Sequence, residues 1–510
     1  MENKILNRIG MSLLLIGILN LYNIIKYGIE INIPGQIIKI GENNKIEKLW
    51  EEGIIKIEEN KIKILIISLI VIIIIFNTRP NIIHNNNKIN TMEYELLIGL
   101  GILGIIIILL SKELITLYLG LELYSFTVYI LILVKESKMI NKFSIIYLIL
   151  SSLASAIILY SIAIIYNSYN VLDLDIITLM NLVHPVEENI KMKILYLLTI
   201  GILFKLGTIP FSYWIVRLYI DLDKRILWYQ LTIPKLIMFL LLIKFISIFY
   251  TPKFSFHSSI IYIENNNNFP YFLYIIACGS IIFGTIGGLF QIRDRGILAY
   301  SSILNIGIIL LSLSLIILYN TNPSNYNIES IINKGFISNP KLWIIYQYFI
   351  VYIIGLIGIF SALFLYSKSS LIFNLRDYYH YPFFFSSFIL LIFSFIGLPP
   401  FSGFFSKFYI LLTLFSTPLL TYLSYTIFIL STLISSFFYF KFLFSSSTSL
   451  MLSDKENKET YIISIPGTIK EKNEYFNIHF ASLILSISTL FSLLYPFLLS
   501  YLIPLYYLYF

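Results

Sequence analysis

Gly201–Trp214 reads G-I-L-F-K-L-G-T-I-P-F-S-Y-W, and its reading decides the fold. Lys205 stands inside an apolar run, 192–215, that is long enough to cross a bilayer as a helix. Gly207 and Pro210 follow within a turn and a half. A proline inside a helix removes one hydrogen bond and crowds the carbonyl four residues back. The run therefore predicts a membrane helix whose backbone opens beside a buried ammonium, where the freed polar groups can hold water. Snorkelling to an interface is disfavoured because Lys205 sits far from either end of the run.

Three further charges lie deep in apolar segments. Glu122 stands in L-I-T-L-Y-L-G-L-E-L-Y-S-F (114–126), and Lys235 follows Pro234 in L-T-I-P-K-L-I-M-F-L (231–240). Lys407 lies in G-L-P-P-F-S-G-F-F-S-K-F-Y-I (397–410). A charge at mid-bilayer costs about 2.5–3.5 kcal/mol on an insertion scale, so four cost on the order of 10 kcal/mol. The usual offset is a partner charge or a water-filled path. Glu122 reads either as a carboxylate bonded to a neighbouring hydroxyl or as the partner of a buried lysine. The second reading is favoured because intramembrane acids are functional by default. Lys244 and Lys441 lie near span ends, and snorkelling accounts for them.

Composition agrees with a membrane protein. Of 510 residues 58% are hydrophobic and only 13% charged, against about 25% charged in a soluble domain. The runs are continuous, without the ten-residue alternation of a barrel. The fold class is thus all-α and polytopic, with about thirteen transmembrane helices. They are expected near 5–27, 62–76, 94–111, 113–134, 143–166, 192–215, 226–249, 271–290, 297–319, 342–367, 382–417, 421–444 and 480–502. Pro399, Pro400 and Gly403 break the eleventh into two half-helices. Lys205 and Lys407 then sit beside breaks in separate halves of the chain, the pattern of carriers built from inverted repeats.

Residues 28–60 differ, partly alternating around 41–44, and read as an extramembrane β-hairpin near 30–50 or as a polar loop with strand character. As a hairpin it would offer an edge to a lineage-specific partner. Three regions follow: 1–93 with the insert 28–60, the core 94–445, and 446–510 with a second polar insert before a last helix. The connections holding Lys135, Lys138, Lys142, Arg217, Lys224, Arg225, Arg293, Arg295, Lys368 and Arg376 are the basic ones, which places that side and the N-terminus inside.

Other chemistry is not encoded. A single cysteine, Cys278, excludes a disulfide framework. The five histidines have no ligand spacing and fall in loops or at predicted helix ends, so neither haem nor a metal site is expected. No phosphate loop or nucleophile elbow occurs. The net charge of +8 is spread over loops and reads as topology, not as nucleic-acid binding. The N-terminus carries neither a cleavable signal nor an amphipathic presequence. Heavy use of Ile, Asn, Tyr, Phe and Lys, with the run 265–268, fits AT-rich codons and an organelle-encoded chain.

Four segments together resemble a known family: L-Y-L-G-L-E-L-Y-S, F-K-L-G-T-I-P-F-S-Y-W, L-A-Y-S-S-I-L-N-I-G and G-L-P-P-F-S-G-F-F-S-K-F. They are similar to the antiporter-like membrane-arm subunits of respiratory complex I over roughly 94–445. Lysine at 235 and 407, with Gly-Leu-Glu-Leu around Glu122, resembles the NADH dehydrogenase subunit 2 branch. The resemblance implies two inverted five-helix repeats, each with a broken helix. It implies proton transfer by Glu122 and Lys205 in a first half-channel, by Lys235 on a central axis and by Lys407 in a second half-channel. It implies no cofactor in this chain, with NADH, FMN, iron–sulfur clusters and ubiquinone acting in other subunits. The implied partners are the other membrane-arm subunits and phospholipid, and the implied location is the mitochondrial inner membrane.

The chain departs from the family pattern at Ser212, at Val216 and Arg217 in place of a loop Pro-Asp pair, and at Asn305 in place of a histidine. Asn305 cannot take up a proton, and Ser301, Ser302 or bound water would have to substitute. One fewer N-terminal helix is read than the family has. Two alternatives stand beside this reading: a subunit of a stand-alone cation/proton antiporter, and a structural subunit that has lost transport.

Overall fold

The structure, a computed structural model, describes residues 91–133, 138–183, 186–222, 224–250, 255–257, 260–262, 268–320, 340–365, 382–414, 421–452 and 482–495. The predicted spans 5–27 and 62–76 and the hairpin near 30–50 lie outside the described residues. So does most of the second polar insert.

Each predicted span from 94 onward falls on a helix or a pair of half-helices. The first group is α1 (Thr91–Leu110), α2 (Leu114–Leu133), α3 (Lys138–Tyr169), α4 (Leu174–Val183), α5 (Glu188–Leu206), α6 (Tyr213–Asp221), α7 (Lys224–Leu231) and α8 (Ile233–Phe249). The second is α9 (Asn268–Phe290), α10 (Asp294–Asn320), α11 (Pro340–Leu365), α12 (Pro382–Ile396), α13 (Ser402–Leu414) and α14 (Thr421–Leu452), followed by α15 (Ser482–Tyr495). Among the described residues, seven helical segments are long and apolar enough to cross a membrane. The order repeats: a tight helical hairpin, a long helix, a broken helix, then a further long helical segment, once from α1 to α8 and again from α9 to α14.

Three expectations are corrected. The described chain is helical apart from one strand pair, β1 (Ser255–His257) with β2 (Ile260–Tyr262), antiparallel with Ser255 opposite Tyr262 and His257 opposite Ile260. Aromatic and β-branched side chains favour strands, but three residues are too few for a period to show. Lys205 is not far from a helix end: the run 192–215 divides, and Lys205 is the penultimate residue of α5. Val216 and Arg217 lie within α6, not in a loop, because no proline stops the helix there.

The core gathers on α10. Beyond Arg295 it carries no charged residue, as suits a helix without a solvent face, and nearly all of it is buried. It packs against α9, α6, α11 and α13. Arg295 ties its start to the end of α6 by donating to the Leu222 carbonyl at 2.6 Å, a favourable place for a cation at a helix C-terminus. Outward faces stay apolar, as on α9 with Tyr271, Ile275, Ile282 and Ile286 exposed. That spacing makes one stripe suited to lipid tails.

Candidate functional site

The two breaks share one backbone. At the first, Gly207 takes a φ of 73°, its N–H donates to Leu203 and Phe204, and the Thr208 N–H reaches back to Leu203 at 3.2 Å. At the second, Gly397 takes a φ of 89°, donates to Phe393 and Ser394, and the Leu398 N–H reaches Phe393 at 3.1 Å. This left-handed closure of a helix end uses glycine because other side chains collide with their own carbonyl there. Each chain then passes a cis Xaa-Pro bond, at Ile209-Pro210 and at Pro399-Pro400. Phe204 and Trp214 stack at 5.8 Å across the first gap. Ser394 and Ser402 hydroxyls meet at 3.1 Å across the second.

The ammonium groups are placed differently. Lys205 reaches from α5 to α2 and donates to the Leu121 carbonyl at 3.3 Å. That carbonyl precedes Glu122, so charge and carboxylate share a turn of α2, without an ion pair closing to 4 Å among the described residues. Glu122 Oε2 stands 3.5 Å from the Ser125 hydroxyl, and Oε1 is buried without a hydrogen-bond partner among the described residues. The hydroxyl partner expected by the simpler reading of Glu122 is thus present, at the long limit of a hydrogen bond. Tyr118 and Tyr147 face the same carboxylate.

Lys407, on α13, turns back to the end of α12 and donates to the Phe395 and Ile396 carbonyls at 2.7 and 2.9 Å. These carbonyls lie in the last turn of α12, where orphan acceptors and the helix dipole favour a cation.

Lys235 lies between the two breaks in chain order. Thr232 interrupts the backbone between α7 and α8, and Pro234 opens the first turn of α8. Lys235 is 3% exposed. Its ammonium donates to the Ser302 hydroxyl of α10 at 2.8 Å and lies over the Tyr219 ring at 5.6 Å. One turn along α10, Asn305 donates from Nδ2 to the Ser301 carbonyl at 2.8 Å and accepts from the Tyr348 hydroxyl at 2.6 Å. Beyond it a cavity of about 20 Å³, room for about one water, opens among Asn305, Tyr348, Tyr352, Ser394, Ser406 and Lys407.

The structure thus brings Glu122 beside Lys205, and sets Lys235 and Lys407 about one stretch of α10, the first bonded to Ser302 and the second across the cavity from Asn305. Sequence reasoning named these four and Ser302, but missed Tyr219, Tyr348 and Tyr352. An aromatic on an apolar helix reads as core packing, and no local signal separates it from a polar partner. Lys441, read as snorkelling, instead donates to the Leu289 carbonyl at the end of α9 at 3.1 Å. No group of three metal-ligating side chains is placed together among the described residues.

Fold and site define a helical membrane protein of carrier type, with partly buried lysines at two matched helix breaks and a buried one between them in chain order. A family profile described as NADH:quinone oxidoreductase/Mrp antiporter, transmembrane, matches residues 111–435, and the chain belongs to that family. The chain is 27% identical over 381 residues to an NADH-quinone oxidoreductase subunit N from Pelagibacter ubique, covering 73% of this chain and 71% of the relative. It is 29% identical over 318 residues to an NADH-ubiquinone oxidoreductase chain 2 from Rhizopus oryzae, covering 62% of this chain and 56% of the relative. In fold it is similar to a chain of respiratory complex I from Thermus thermophilus, with a TM-score of 0.58 at 19% identity, covering 85% and 84% of the two chains. It is also similar to a chain of the Mrp complex from Dietzia, with a TM-score of 0.57 at 15% identity, covering 78% and 74%.

Proposed function

We propose that this chain is a proton-translocating membrane-arm subunit of an NADH:quinone oxidoreductase. The carrying observation is the pair of matched breaks, each with a lysine whose ammonium reaches a main-chain carbonyl, and Lys235, between them in chain order, bonded to Ser302. Lysine and glutamate can gain and lose protons, whereas arginine cannot. Glu122 and Lys205 serve one half-channel, Lys235 the central axis, and Lys407 the second half-channel. The repeated element order supports two five-helix repeats, and an odd number of crossings makes them inverted. The core 94–445 would carry transport, with 1–93 and 446–510 flanking it.

Redox chemistry would occur in other subunits and reach this chain as an electrostatic or conformational push. Moving one charge against 100 mV takes about 2.3 kcal/mol. A change of two pKa units at a proton site is worth about 2.7 kcal/mol. A modest rearrangement beside a buried lysine therefore meets the energetic need. The residue types with AT-rich codons, and the relative from Rhizopus oryzae, support the mitochondrial inner membrane as this reading's location.

Lys205→Ala tests the role. Proton pumping by the assembled complex should fall at least tenfold, while assembly on native gels is retained. Normal pumping by a fully assembled variant would sink it. The second reading, a stand-alone cation/proton antiporter, is favoured by the likeness to the Mrp chain. Mild detergent extraction separates the two. Copurification with a large flavin-containing, NADH-oxidising assembly supports the first, and a complex without that activity supports the second.

A further inference from the structure

Asn305 occupies the centre of the only stretch of α10 that touches both Lys235, through Ser302, and the cavity beside Lys407, among the described residues. Its amide is engaged on both sides, by the Ser301 carbonyl and the Tyr348 hydroxyl. It cannot pass a proton by ionising. One turn further along α11, Tyr352 brings a second phenol to the same place. It is 6% exposed, and its hydroxyl closes no hydrogen bond of full geometry among the described residues. The phenol faces Ser301 and Asn305 and lines the cavity that holds Lys407. A buried hydroxyl left without a full hydrogen bond is a costly arrangement. A cavity with room for about one water and several polar walls can relieve it.

We propose that Tyr352 and a single water in this cavity carry protons between α10 and Lys407, with Asn305 and Tyr348 as the fixed frame. The inference rests on the reading of Lys407 as a proton site. In one direction the Lys407 ammonium releases a proton to the water as the water passes one of its own to the Tyr352 oxygen. The phenol hydrogen moves to the Ser301 hydroxyl, which turns from the Leu298 carbonyl to hand its own to Ser302. The Ser302 hydroxyl in turn leaves the Ala299 carbonyl and gives its hydrogen to a neutral Lys235 amine. Water, phenol and serines end with the protons they began with, and one proton has moved from Lys407 to Lys235. The reverse sequence balances in the same way. A phenol can do this because its oxygen both donates and accepts. An amide locked at both ends cannot.

The experiment uses the assembled complex in proteoliposomes and follows NADH-driven proton uptake. Tyr352→Phe should lower pumping at least tenfold with assembly intact. Ser406→Val fills the cavity from a different helix and should give the same loss, which covers the case in which the phenylalanine variant does not assemble. Adding Asn305→His to Tyr352→Phe should restore pumping several-fold, because an imidazole exchanges protons at the same place and a merely structural tyrosine would gain nothing from it. Wild-type pumping in Tyr352→Phe or Ser406→Val, or no recovery in the double variant, overturns the relay. If Lys407→Ala also pumps normally, the underlying reading fails as well. If Lys407→Ala is inactive while both cavity variants pump, only the relay fails.

Discussion

The break at Gly207 and the break at Gly397 have the same backbone and different chemistry. Both close a half-helix with a left-handed glycine and the same pattern of returning N–H bonds. At the first, the lysine lies two residues before the glycine and its ammonium leaves for α2. At the second, the lysine lies ten residues after it and its ammonium returns to cap the helix just ended. The residue ten positions past Gly207 is Arg217, which is exposed and lies over the Tyr213 ring at 5.9 Å. The repeat has therefore kept the opened backbone and moved the charge. One break sends its ammonium outward to the main chain of a neighbouring helix, one residue before Glu122. The other is self-contained and faces a water-sized cavity.

The largest difference should appear when the glycines are replaced. A left-handed conformation costs a non-glycine residue about 1–2 kcal/mol, and Gly207→Ala and Gly397→Ala share that cost. At 207 the new methyl also runs into the buried Ile215 side chain, and overpacking adds about 1–3 kcal/mol. At 397 the nearest atom is the Lys407 Cδ at 3.0 Å, part of a flexible side chain that can give way. Gly207→Ala should thus deplete folded protein in the membrane far more than Gly397→Ala, and Ile215→Ala in the first background should recover part of it. Equal losses at both glycines would remove the distinction.

A smaller contrast concerns the ammonium groups themselves. Lys407→Met leaves two carbonyls in the last turn of α12 without their donor, whereas the Leu121 carbonyl that Lys205 bonds lies inside α2 and keeps its main-chain partner. An acceptor stranded in a buried place costs about 1–3 kcal/mol. Thermal unfolding of the purified complex in detergent should shift further for Lys407→Met than for Lys205→Met, although both variants should lose pumping under the proposed function. The reverse order would show that the Glu122 side carries more of the structural load than its hydrogen bonds suggest.

The sequence made the breaks and the buried charges legible because each depends on residues within a few positions: a glycine, a proline and a lysine in an apolar run. The direction in which each lysine reaches was not legible, since that depends on which carbonyl a neighbouring helix presents. The expected pairing of Glu122 with Lys205 shows this limit. The two are brought to one turn of α2, yet the ammonium bonds the main chain. Asn305 was visible as a departure from a familiar pattern, but Tyr348 and Tyr352, which surround it, come from α11 and look like core aromatics in sequence. The strand pair at 255–262 escaped for a different reason, being too short to show a period.

Lys441 supplies the smallest test and extends the comparison to the outer helices. Its place near the end of its predicted span reads as snorkelling, which makes its partner water or headgroups. In the structure it caps α9 through the Leu289 carbonyl and so joins the first and last helices of the second half. A cation at a helix C-terminus is worth about 0.3–1 kcal/mol. Lys441→Met should lower the unfolding midpoint of the complex slightly and leave proton pumping unchanged, because neither the cavity nor the Lys407 carbonyls touch it. Lys441→Arg keeps the charge and a donor and should fall between the methionine variant and the wild type. If Lys441→Met stops pumping in an intact complex, the second half depends on a charge outside its break, and the self-contained picture of that half would have to be given up.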